Sequence, residues 1–209
     1  MITRIVSRLL TLWMMKTYRF ASVGDKVRLH YSCDIRRAIA PLIALGNNVW
    51  VDREAWLNIP DERGERDEKT PAITLEDGCV VGRRCVISAK NRIHFERNVC
   101  FAPSVLVMDH NHAFEDVKQA IRDQGVTEGG TIRVEQGTWI GYGASIVCGR
   151  GELVIGANSV IGANSVVTRS VAPNSVVSGN PAKVVRQFDP DKGKWVLGSV
   201  SHSAQTARV

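Results

Sequence analysis

The chain has 209 residues, 44% hydrophobic and only 6% aromatic, with 18 glycines and a formal charge of +6. This length gives one folded unit with modest appendages, and few aromatics with many glycines point to short strands and tight turns. The cationic excess suits an anionic membrane surface or a phosphorylated cofactor, but the cations are not interleaved with aromatics and no nucleic-acid motif spacing occurs, so we expect no nucleic-acid partner.

In chain order, residues 1–38 read as an N-terminal amphipathic, helical segment. Ile2, Ile5, Val6, Leu9 and Trp13 recur at helical spacing, and Arg4, Arg8, Lys16 and Arg19 stand among the first twenty residues without an acid. No apolar run reaches the ~20 residues that span a bilayer, and LLTLWMM is short for a signal peptide, with no small-residue cleavage site close behind it. Two roles fit the stripe: peripheral contact of residues 1–20 with an anionic membrane, or capping of the fold's open end.

Residues 39–186 carry a repeat. An aliphatic side chain returns every sixth position: Leu75, Val81, Ile87; Phe95, Phe101, Val107; Val134, Ile140, Ile146; Ile155, Ile161, Val167. Six fits neither a helix nor a simple hairpin. It predicts a short strand plus a turn, repeated as a solenoid whose aliphatics stack in columns, with small Gly, Ala, Asn and Ser after each aliphatic allowing positive φ and close approach. Between Ile39 and Ile59 the period persists without the glycines. Two long departures mark corners where loops leave the stack, the charged PDERGERDEKTPA from Pro60 and the segment His110 to Gly130. A smaller one, CGRGEL, stretches the step from Ile146 to Ile155. Residues 187–209 read as a C-terminal tail.

Cys33, Cys79, Cys85, Cys100 and Cys148 include no CxxC pair, so we expect neither a zinc framework nor disulfides, but small buried hydrophobes in a reducing cytoplasm. His110 and His112 open the second loop. Two histidines two residues apart lack a third metal ligand in sequence, so we expect no metal. A neutral imidazole there can serve as a general base toward a hydroxyl.

The tandem unit IGANSV and the string GNPAKVVR resemble the hexapeptide-repeat acyltransferases, in particular the branch acting on galactosides, maltose and xenobiotics. The resemblance runs from Leu75 to Arg186 and more weakly over Ile39 to Ile59. It implies an all-β fold, a left-handed parallel β-helix with an extruded loop, and acetyl-CoA as cosubstrate. It also implies a homotrimer with the donor groove between subunits. The catalytic base, counted from Ala102-Pro103, falls on His112, with His110 the weaker candidate. Positions resembling the CoA contacts are Trp139, Tyr142, Ala163, Thr168, Arg169, Lys183 and Arg186. Tyr142 replaces a small residue of the galactoside branch, Gly82 replaces the Asn that holds its acceptor sugar, and Cys148 replaces a Pro. A backbone N–H of the neighbouring subunit is the expected oxyanion donor. The implied activity is direct O-acetylation of a sugar hydroxyl, in surface polysaccharide biosynthesis. Its rivals are N-acetylation of an amino sugar or small xenobiotic, and a non-catalytic β-helix acting as a binding or assembly module.

Overall fold

A computed structural model describes residues 2–60 and 70–198. Most of the loop expected after Pro60 and the end of the tail, including His202, lie outside the described residues, as do the side chains of Ile2 and Arg4. The twelve residues of the six-residue period, ten aliphatic and two phenylalanine, all point inward and are at most 2% exposed. Their alternation closes the chain into a left-handed parallel β-helix of triangular section.

The first face holds Ser22–Val23, Ile43–Leu45, Ile73–Leu75, Arg92–Phe95, Gly129–Val134 and Arg150–Ile155. The second holds Arg28–Leu29, Trp50–Val51, Val80–Val81, Cys100–Phe101, Trp139–Ile140 and Val160–Ile161, and the third holds Asp34–Ile35, Trp56–Asn58, Val86–Ser88, Leu106–Met108, Ser145–Val147 and Val166–Val167. Neighbouring coils pair in register, as in Phe101 with Ile140 and Val107 with Ile146. Each inward column is therefore one side chain per coil, burying roughly 1.5–3 kcal/mol of apolar contact per aliphatic.

The corners divide positive φ and close approach between different small residues. The residue directly after the aliphatic is not the one with positive φ. Glycine is needed there for room, since a Cβ on Gly141 would lie 2.7 Å from the Ala163 backbone nitrogen. Positive φ falls two residues later, on Asn158 and Asn164 among others, residues that tolerate the left-handed region.

The stack begins earlier and ends later than expected. Ser22–Val23 already pairs with Ala44 and Leu45, so a first coil lies inside the segment assigned to residues 1–38. A 3-10 turn, Arg37–Leu42, leads from it into the second coil. At the other end pairing continues: the chain turns back through a cis Asn180–Pro181 peptide, and Ala182–Asp189 runs antiparallel to Ser175–Gly179 on the second face, followed by Lys194–Leu197. The CGRGEL insertion forms no loop, because Arg150–Ile155 lengthens to match Gly129–Val134 residue for residue.

Helix α1, Ile2–Thr17, lies across the first coil. The Thr11 hydroxyl donates to the Leu29 carbonyl at 2.6 Å, Met14 is buried, and Met15, Tyr18 and Phe20 pack on the core. Among the cysteines, Cys33, Cys79, Cys85 and Cys148 are buried, whereas Cys100 is exposed, because it takes an outward position on the second face.

Candidate active site

Every longer excursion leaves from the corner between the third and first faces: Arg37–Leu42, the segment after Ile59, and the loop between Met108 and Gly129. At that corner Asp109 is fully buried, and its carboxylate accepts three successive backbone N–H groups of the preceding coil, from Lys90 (2.7 Å), Asn91 (2.9 Å) and Arg92 (2.9 Å). The His110 ring, 5% exposed, sets Nδ1 2.9 Å from the same carboxylate.

The preceding coil also grips the returning arm. The buried Lys90 ammonium donates to the Thr127 carbonyl at 2.7 Å, and the Asn91 amide donates to the carbonyls of Glu128 and Gly130. The Gly130 N–H closes the neck onto the Asp109 carbonyl at 2.7 Å. Gly129 has φ +75, in the left-handed region that favours glycine, and a Cβ there would stand 2.5 Å from the Asp109 carbonyl oxygen. A side chain at Gly129 is thus disfavoured twice over.

Beyond this neck the two arms pair as a short antiparallel ribbon. Thr127 N–H donates to the Asn111 carbonyl (2.8 Å), Ala113 N–H donates to the Gly125 carbonyl (3.1 Å), and His112 bridges Val126 between them. The backbone of His112 is therefore fixed from both sides while its imidazole stays exposed. The loop tip is bound to itself, Gln124 donating to the carbonyls of Asp116 and Gln119, and it presents Phe114, Val117 and Ile121 to the outside.

The seven positions expected to contact CoA divide into two groups. Trp139 and Arg186 share a register column on the outer second face through Val160 and Val176. Tyr142 and Ala163 sit one above the other at the next corner, where Asn164 N–H donates to the Tyr142 carbonyl, and Lys183 is paired with Ser178 close by. Thr168 and Arg169 instead follow Val166–Val167 at the corner from which the His112 loop departs. The third face separates His112 from the first group within one chain. Arg169, Lys183 and Arg186 are exposed, and among the described residues none has an ion-pair partner. Trp139 and Tyr142 are half exposed, at 48% and 50%.

His94 is occupied by Glu76 at 2.8 Å and His30 by Ser32 at 2.8 Å. Among the described residues no group of three His, Cys, Asp or Glu is placed to hold a metal. The clamp of Lys90, Asn91 and Asp109 was not among the residues the sequence singles out.

No family model matches the chain. A probable acetyltransferase of Mycobacterium tuberculosis is 30% identical over 131 residues, 63% of this chain and 42% of the relative. A Saccharomyces cerevisiae protein, also named for acetyl transfer, is 35% identical over 116 residues, 56% of each chain. The chain thus spans about half the length of these curated relatives. Among solved structures, an N-acyltransferase from Bacillus cereus in complex with dTDP and 3-hydroxybutyryl-CoA superposes with a TM-score of 0.68 at 18% identity, over 87% of this chain and 90% of the other. A maltose O-acetyltransferase from Clostridium difficile gives 0.55 at 23% identity, over 89% and 84%. This chain has the hexapeptide-repeat β-helix of those acyltransferases.

Proposed function

We propose that the protein is an acetyl-CoA-dependent acetyltransferase acting on a carbohydrate, with His112 as general base. One observation carries the assignment: of the two loop histidines, His110 is buried against Asp109, whereas His112 is held by backbone bonds on either side with its imidazole open to solvent. Only an accessible imidazole can take a proton from an acceptor. In this reading His112 removes the hydroxyl proton as the acceptor oxygen attacks the thioester carbonyl. The C–S bond then breaks, and the departing thiolate recovers that proton, so no covalent enzyme intermediate forms. Trp139, Tyr142 and Ala163 line the course of the pantetheine arm, and Arg169, Lys183 and Arg186 supply charge for its phosphates.

Because the third face stands between His112 and the Trp139 group, we assign the complete site to two copies of the chain. A cyclic homotrimer gives each subunit an equivalent cleft, and the apolar loop tip of Phe114, Val117 and Ile121 offers surface for a neighbour. Attack by a sugar hydroxyl in surface polysaccharide biosynthesis is the lead reading. N-acylation of an amino sugar is the second, favoured by the Bacillus cereus structures, one of which holds dTDP-4-amino-4,6-dideoxyglucose and coenzyme A.

The test is thiol release from acetyl-CoA across a panel of neutral and amino sugars. Alkali-labile product identifies an ester and alkali-stable product an amide. His112→Ala should lower kcat by roughly 10²–10⁴ with acetyl-CoA affinity nearly unchanged, and His110→Ala should lower it less. Near-wild-type turnover of His112→Ala at saturating substrates removes the assignment. Failure of the wild-type chain to bind acetyl-CoA selects a non-catalytic binding module instead.

A further inference from the structure

Helix α1 has two apolar faces, and the solenoid uses one. Thr11, Met14 and Tyr18 meet the first coil. At 100° per residue, Leu9 stands half a turn from Tyr18, and around it Ile5, Val6, Leu9, Leu12 and Trp13 are between 46% and 61% exposed. Capping the stack therefore does not account for the outward stripe.

We propose that this outward face docks on an anionic phospholipid surface. Charge complementarity selects that occupant. Arg8 and Lys16 are exposed on the helix itself, Arg19 follows it, and the Arg37 guanidinium lies 4.7 Å over the Trp13 ring. No acid occurs in the first twenty residues. A second copy of the same face would bring these cations together without a counter-charge, whereas anionic headgroups neutralise them while the leucines and Trp13 enter the acyl boundary. At sixteen residues the helix is about 24 Å long, and no described helix is long and apolar enough to cross a membrane, so α1 lies in the interface plane. Docking by α1 places the first coil nearest the lipid and leaves the His112 loop farther along the stack. The inference is independent of the acetyltransferase reading.

The test uses the full chain with vesicles of phosphatidylglycerol in phosphatidylcholine, against pure phosphatidylcholine, at low and high salt. The chain should sediment with the mixed vesicles at low salt and be released by high salt. Leu9→Glu combined with Leu12→Glu should lower partitioning by about a hundredfold, roughly tenfold per buried leucine, and Arg8→Gln and Lys16→Gln by about fivefold each. All four side chains are exposed, so the thermal midpoint and the oligomeric mass should hold in every variant. A full chain that stays in the supernatant with mixed vesicles at low salt overturns the proposal, as does unchanged sedimentation of the leucine pair variant. A lower oligomeric mass for that variant by light scattering overturns it in favour of a second copy on this face.

Discussion

Replacing Asp109 with Asn tests the neck that holds the His112 loop. The carboxylate has four contacts: Oδ1 meets the Lys90 N–H and the His110 ring, and Oδ2 accepts from Asn91 and Arg92. A carboxamide is isosteric but turns one oxygen into a donor. If its nitrogen takes the Oδ2 position, the Asn91 and Arg92 N–H groups both lose their acceptor. If it takes the Oδ1 position, the Lys90 N–H loses its own, and His110 must change tautomer to accept. An unsatisfied buried donor costs about 1–3 kcal/mol, so the second orientation is the cheaper and the loss is roughly 1–3 kcal/mol. For a chain of this size that lowers Tm by about 2–12 °C. Differential scanning calorimetry measures it, and steady-state kinetics should show kcat falling more than the KM for acetyl-CoA, because a loosened neck displaces His112 and leaves the second face untouched. A variant that melts within about a degree of wild type with unchanged kcat would refute the clamp.

Other outcomes follow from the same geometry. If the site lies between copies, mixed trimers of His112→Ala and Trp139→Ala/Tyr142→Ala protomers should recover about a quarter of wild-type activity, since one in four neighbour pairings joins two intact halves; no recovery places the site within one chain. Neutralising Arg169, Lys183 or Arg186 should weaken acetyl-CoA binding, more at low salt, and equal affinity for intact and dephosphorylated CoA would remove them as phosphate ligands. Gly141→Ala should lower Tm by several degrees, because its Cβ meets backbone rather than a yielding side chain; an unchanged midpoint shows that the coils can part. Burial pushes Cys33 and Cys79 up to about 12 and Cys85 up to about 11 from an ordinary 9.0. These thiols should resist alkylation until the chain unfolds, while exposed Cys100 labels first by mass spectrometry. The unfolded chain ionises them sooner than the folded one, so stability should fall as pH rises from 9.0 toward 12, and Cys79→Ala should blunt that fall.

The core was legible because it is one-dimensional. A column of aliphatics at period six has a single geometric solution, and Leu75, Val81 and Ile87 enter it as the spacing requires. The same period was present earlier, in Val23, Leu29 and Ile35, but Lys26, Arg28, Asp34 and Arg36 surround it and the 3-10 turn breaks the step to the next coil, so charge masked a coil whose inward residues are few. Cys100 was misplaced because strands this short leave one residue in and one out, and a cysteine suits either. For the candidate site, the sequence separates His112 from His110 only through the resemblance; burial against Asp109 separates them physically. The clamp was not legible at all, since Lys90 and Asn91 act on residues nearly forty positions away, through a corner whose height in the stack no local pattern encodes.

Confining the excursions to one edge has a consequence for how such a chain changes over time. Two edges turn in tight four-residue bends whose length is locked by the register of every coil above and below, so an inserted residue there would shift half the columns out of alignment. The remaining edge admits six residues at Arg37–Leu42 and twenty between Met108 and Gly129 with the inward columns still in register. Loop length and chemistry are thereby uncoupled from the folding of the stack, and one hairpin can be exchanged for another while the scaffold stays as it is.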